Sequence, residues 1–170
     1  AKSQRVFYAS GQDMRANIEM QLTNKAGRSR KRTMTLLRRN GKSGEQKYFI
    51  HFSKPADVRG TSFLVWKHDG RDDDRWLFLP AIKLVSRIAA KDKHSSFVGS
   101  DFSYEDISGR DLDLDTHKLL GDKNLNGRAV YYVESLPKAE ATFSKKLSWI
   151  DKESFLPLKE EYFDAQGKLR

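Results

Sequence analysis

The sequence predicts a mainly β protein built on a single, strongly curved antiparallel sheet. Three observations carry that expectation. Apolar and polar residues alternate with period two along most of the chain. Turn signals rich in Gly, Asn, Asp and Ser recur at short, regular intervals, and no segment holds a sustained helical stripe. The 170 residues fit one domain, and 11 % aromatic residues point to a packed core despite 32 % charged residues. A meander with turns this regular curves toward a partial barrel.

The elements follow in order. In "MRANIEMQLTN", Met14, Ala16, Ile18, Met20 and Leu22 share one face, with Arg15, Asn17, Glu19 and Gln21 on the other. "NKAGRS" (24–29) is a turn, and 30–39 a second strand in which Arg30, Arg32 and Arg38 are in phase with Met34 and Leu36. "RNGKSG" (39–44) is a hairpin signal, because Asn-Gly adopts the positive φ that tight hairpins need. "KYFIHFSKP", "TSFLVWKH" (61–68), "RWLFLP" (75–80) and "KLVSRIAA" (83–90) continue the meander, with "DGRDDD" as a polar turn. "AVYYVESLP" (129–137), "FSKKLSWID" (143–151) and "LPLKEEYFD" (156–164) close it. Only residues 1–9 and 100–108 suggest helix; in the latter, Ser103 and Asp106 have capping-box spacing.

Composition excludes several classes. With no cysteine, the chain has no disulfide, thiolate metal site or cysteine nucleophile. The longest apolar run, "WLFLPAIKLV", is interrupted by Pro80 and Lys83 and is too short for a helical membrane span. The net charge of +9 lies entirely in residues 1–50, which hold 12 Lys/Arg against 3 Asp/Glu. Such an excess suits either a solvated strand face or an anionic partner met by Arg28, Arg30, Arg32, Arg38 and Arg39.

Catalytic and metal signatures are weak. "FVGSDFSYEDIS" (97–108) sets Ser100 beside Asp101, but Phe102 stands where a nucleophile elbow needs its second glycine. Ser100 is expected in a turn or cap rather than in catalysis. "DLDLDTHKLLGD" (111–122) has calcium-loop acids, but Thr116 occupies the position of the turn glycine, and an amphipathic edge strand is expected instead. No cofactor or metal site is expected. Nucleic acid is not an expected partner, because the basic residues and the aromatics do not interleave. The remaining feature is apolar excess: Tyr48, Phe63, Trp66, Trp76 and Phe78 lie on strands with few helices to cover them, as in a carrier of an apolar ligand.

The blocks "FSKPADVRGTSFLVW", "DRWLFLPAIKLVSRIAA", "SSFVGSDFSYEDIS", "AVYYVESLPK" and "LSWIDKESFLPLKEEYFDAQGKL", in this order, resemble the LolA-like periplasmic outer-membrane lipoprotein-sorting proteins. The similarity runs from Met14 to the end and points to the branch associated with lipid-exporting transporters. It implies an open half-barrel of the LolA/LolB type whose concave face binds acyl chains under one or two short helices. It implies a periplasmic carrier or chaperone of a Gram-negative bacterium, not an enzyme, exported by a signal peptide that is not part of this chain. Its cargo would be lipid or lipoprotein acyl chains, moved toward the outer membrane between an inner-membrane transporter and an outer-membrane acceptor. Residues 97–108 would plug the mouth of the sheet, adding Phe97, Phe102 and Tyr104 to the cavity lining. Residues 1–170 are then one carrier domain, expected to lack part of the amino-terminal helix and the last strands.

Overall fold

The computed structural model describes residues 2–41, 44–68 and 70–170. Lys42 and Ser43 of the expected turn 39–44, Asp69 of the polar turn before Arg75, and Ala1 of the expected first helix lie outside the described residues. Among the described residues the strands form two antiparallel sheets rather than one. The first is a six-stranded meander in sequential order: β1 (Asp13–Thr23), β2 (Ser29–Asn40), β3 (Gln46–Lys54), β4 (Ser62–Lys67), β5 (Asp74–Leu79) and β6 (Leu84–Ile88). The second is a four-stranded meander of β7 (Asp115–Leu125), β8 (Arg128–Pro137), β9 (Lys145–Asp151) and β10 (Pro157–Phe163). The expected single sheet is interrupted because residues 89–114 hold 3-10 turns, one short helix and glycines at positive φ (Gly99 +71°, Gly109 +83°). Among the described residues, no strand in that stretch continues the ladder beyond β6. Two helices accompany the sheets, α1 (Lys2–Ala9) and α2 (Tyr104–Ser108).

The chain divides into two compact units, residues 11–100 and residues 1–10 with 101–170. In the first, the register puts Ala16, Leu36, Ile50, Phe63 and Leu77 opposite one another in successive pairs, with Ile18, Met34 and Phe52 in the next row. Opposed residues of an antiparallel ladder share a face, so these rows make one apolar surface. Phe97 packs onto it, 5.8 Å from the Phe52 ring and 5.2 Å from the Phe63 ring, and Phe52, Phe63 and Phe97 are all 0 % exposed. The loop bearing Phe97 turns at Val98 and Gly99, and the Ser100 hydroxyl donates to the Phe97 carbonyl at 2.8 Å. Ser100 is therefore a turn-closing group.

In the second unit, Val130, Leu147 and Trp149 form the core of one sheet face, joined by Leu125, Tyr132 and Phe163. The opposite face carries His117, Ser135, Lys146 and Tyr162 in one row. These bound a cavity of about 240 Å³ that Phe7 and Tyr8 of α1 also line. The capping box is present: Asp106 N–H donates to the Ser103 hydroxyl and Ser103 N–H to the Asp106 carboxylate. Arg110, almost wholly buried, bridges Glu105 at 2.7 Å and Asp115 at 2.9 Å, tying α2 to the start of β7. Asp115, one of the acids of the calcium-like motif, is thus engaged by an arginine. β7 is an edge strand, as its alternation suggested, with Gly121 at a bulge opposite Tyr132.

The packing of Phe97 sets a measurable contrast. Phe97→Ala is expected to cost about 3–5 kcal/mol, the usual loss for a filled aromatic core position. Phe102→Ala, at a ring that is 46 % exposed, is expected to cost about 1 kcal/mol or less. Urea melts of the two variants check this, and equal midpoints would contradict the assignment of Phe97 to a closed core.

Candidate functional site

The six-stranded sheet is apolar on both faces at its centre. Opposite the Phe63–Phe97 core, the register lines up Arg15, Leu37, Phe49, Leu64, Trp76 and Arg87, one from each strand. On one side of this row stand Asp13, Arg39, Lys47, Trp66 and Asp74; on the other, Thr35, His51, Ser62, Phe78 and Val85. The period-2 pleat dictates this sorting, because every odd step along "KYFIHF" and "SFLVWK" leads away from the core. The result is an apolar surface that stays open: Phe49 is 39 % and Trp66 37 % exposed. A depression of about 530 Å³ is lined there by Phe49, Leu64, Trp66, Trp76, Phe78 and Val85. Contiguous exposed apolar surface of this kind marks a ligand or partner site more often than a solvated face.

The ends of the site are polar and unlike. At the β5–β6 end, Asp74 accepts from His68 at 2.9 Å and from Arg71 at 3.1 Å, and it also pairs with Arg87. At the β1–β3 end the Lys47 ammonium lies 4.0 Å from the Trp66 ring centre, a cation–π contact, and Arg39 stands 4.0 Å from Asp13. A second open depression of about 430 Å³ lies here, bordered by Arg15, Leu37, Arg39, Lys47, Phe49 and Leu64. The two depressions share Lys47, Phe49 and Leu64 and so border one another.

The residues expected to line a cavity are sorted by this geometry. Trp66, Trp76 and Phe78 fall on the open face, whereas Tyr48, Phe63 and Phe97 belong to the opposite, packed face. Burial pushes the Tyr48 phenol up to about 12, partly offset by the nearby Arg38 guanidinium. Phe102 is exposed and Tyr104 buried, both in the second unit. The arginines divide as well. Arg38 is buried on the packed face and Arg32 donates to the Val98 carbonyl, while Arg28, Arg30 and Arg39 are exposed. The five do not make one continuous surface. Leu37, Leu64, Arg15 and Lys47 were not singled out from the sequence, although the pleat that sorts them with Trp66 and Trp76 was there to be read.

Hydrogen bonds from His68, then Arg87 and Arg71, hold the Asp74 carboxyl at about 2, below its ordinary value of 3.8, against the opposing effect of partial burial. A depressed carboxyl pKa contributes stability that is complete above the unfolded value and lost as pH falls through the folded one. Asp74 should therefore hold this end of the site until the pH drops from about 3.8 toward about 2. A carboxyl-carbon NMR titration checks this, and Arg87→Ala should move the Asp74 midpoint upward; an Asp74 midpoint near 4 in the unaltered protein would contradict it.

Comparison with known proteins places this geometry. A family model described only as that of an uncharacterized protein matches residues 44–170. No curated protein matches the chain. A DUF1329 family protein from Desulfovibrio piger superposes with a TM-score of 0.82 at 34 % identity, over 99 % of this chain and 72 % of that one. A domain from Vibrio parahaemolyticus, provisionally named an outer membrane lipoprotein-sorting protein, gives 0.81 at 35 % identity over the same shares. A LolA superfamily protein from Nitrosomonas europaea gives 0.63 at 18 % identity, over 99 % and 71 % of the two chains, and so shares the fold. With two such relatives matched over nearly its whole length, the chain belongs to the family of the DUF1329 protein and the outer-membrane lipoprotein-sorting domain.

Proposed function

We propose that this protein is a periplasmic carrier that holds the acyl chains of lipids or lipoproteins for transfer toward the outer membrane. The observation that carries the proposal is the open aromatic face of the six-stranded sheet, where Phe49, Leu64, Trp66, Trp76 and Phe78 surround an apolar depression. Burying a chain there releases water from both surfaces, worth roughly 0.8 kcal/mol per methylene. The row from Leu37 to Trp76 crosses three strand spacings, about 14 Å in all, enough to seat an extended chain lying across the strands. Family membership supports the same assignment through the sorting function for which the Vibrio parahaemolyticus relative is named. Residues 1–170 act in this proposal as one carrier domain, with an inner-membrane donor and an outer-membrane acceptor.

The function needs no catalytic group. The Ser100 hydroxyl closes a turn, and binding and release follow from apolar burial alone.

The test is a chain-length series of fatty acids titrated against the purified protein, followed by tryptophan fluorescence. Each two-carbon extension should tighten binding by roughly tenfold until the depression is full. Trp76→Ala should weaken binding several-fold while Ser100→Ala leaves it unchanged. An affinity independent of chain length, or no binding at any length, would overturn the proposal.

A further inference from the structure

The two ends of the aromatic row differ in charge, and that difference selects among amphiphiles. At the β6 end, Arg87 is neutralised by Asp74, which also accepts from His68 and Arg71. At the β1 end, Arg15, Arg39 and Lys47 are all exposed; Asp13 stands 4.0 Å from Arg39, and Glu45, two residues before Lys47 on the same face, lays its side chain over Gly41. Three cations therefore face two acids where the apolar depression borders its neighbour, an excess of positive charge. Arg15 is directly opposite Leu37, and Lys47 lies over Trp66, so the charges touch the edge of the apolar surface rather than standing apart from it.

We propose that this site takes an amphiphile with an anionic headgroup, its chain along Phe49, Leu64 and Trp76 and its carboxylate or phosphate among Arg15, Arg39 and Lys47. The inference rests on the acyl-carrier function and adds the polarity and charge class of the cargo. A chain laid the other way would bring its head to the Asp74 cluster, where the cations are already paired. A second copy of this protein is a poor occupant, because its own face carries the same excess of cations. Each exposed charge pair contributes little alone, but three cations acting on one headgroup give a preference of roughly tenfold over a neutral head.

The experiment titrates the whole chain at low ionic strength with oleate, oleyl alcohol and oleylamine, which share one hydrocarbon chain, and with inorganic phosphate alone. Oleate should bind about tenfold tighter than the alcohol, and the amine weakest. The double variant Arg15→Glu/Arg39→Glu should abolish the preference for oleate over the alcohol, and Asp13→Asn should enlarge it. Raising the salt should narrow the gap between oleate and the alcohol, because these charges are exposed. Equal binding of oleate and alcohol, or a preference that survives the double variant, overturns the anionic assignment and leaves the carrier function standing. No binding of any oleyl compound overturns both. Inorganic phosphate that displaces oleate makes this a free-anion site instead. A stable dimer that quenches uptake makes it an interface between copies, and sedimentation with anionic vesicles without uptake of monomeric oleate makes it a membrane-docking face; each of these also overturns the proposal.

Discussion

The pairing of β3, β4 and β5 constrains everything else about the first unit. These strands carry apolar side chains at both odd and even positions, so no choice of register hides all of them on one side. Phe97 resolves the problem on one face by closing over Phe52 and Phe63. On the other face, Phe49, Leu64 and Trp66 stay exposed to solvent. An apolar sheet face left open in this way is costly to maintain in water and a hazard for face-to-face association. Under the proposed carrier function, a cargo buried on this face offsets that cost.

Charge placement follows from the same pleat. Consecutive residues Arg38 and Arg39 point to opposite faces of β2: one is buried beside Tyr48, the other exposed beside Lys47. The excess of positive charge in the first 50 residues is therefore not one patch. Part of it serves the packed interior and part rims the open face. In the second unit, buried charge instead ties elements together. Arg110 joins Glu105 to Asp115, and Asp151 accepts from Ser154 and Arg128, which holds its carboxyl below the usual range. Removing one partner of a buried pair of this kind strands the other charge, so such networks fix geometry more than they add stability.

Much of this was legible in the sequence. Period-2 alternation located the β1–β6 strands and β8–β10, because half-buried strands must alternate. Ser103 and Asp106 announced the cap of α2, because two backbone N–H groups there need those acceptors. The break into two sheets was not legible: residues 97–108 read as a covering turn and helix, and nothing in their composition says whether the same ladder resumes beyond them. The make-up of the open face was half legible. Trp66 and Trp76 stood out by size, but size does not report which face a ring occupies. Phe63 and Tyr48 were grouped with them although Phe63 lies three residues from Trp66, an odd separation that puts the two on opposite faces. Leu37, Leu64 and Lys47 are ordinary residue types, and they acquire meaning only once the register sets them beside the tryptophans.

A crystal structure grown with a long-chain fatty acid tests the central claim most directly, because it reports which face of the six-stranded sheet the chain occupies. The account predicts continuous density along Leu37, Phe49, Leu64 and Trp76, with Phe97 still packed against Phe52 and Phe63. Density on the Phe63 side, with Phe97 displaced, would contradict it.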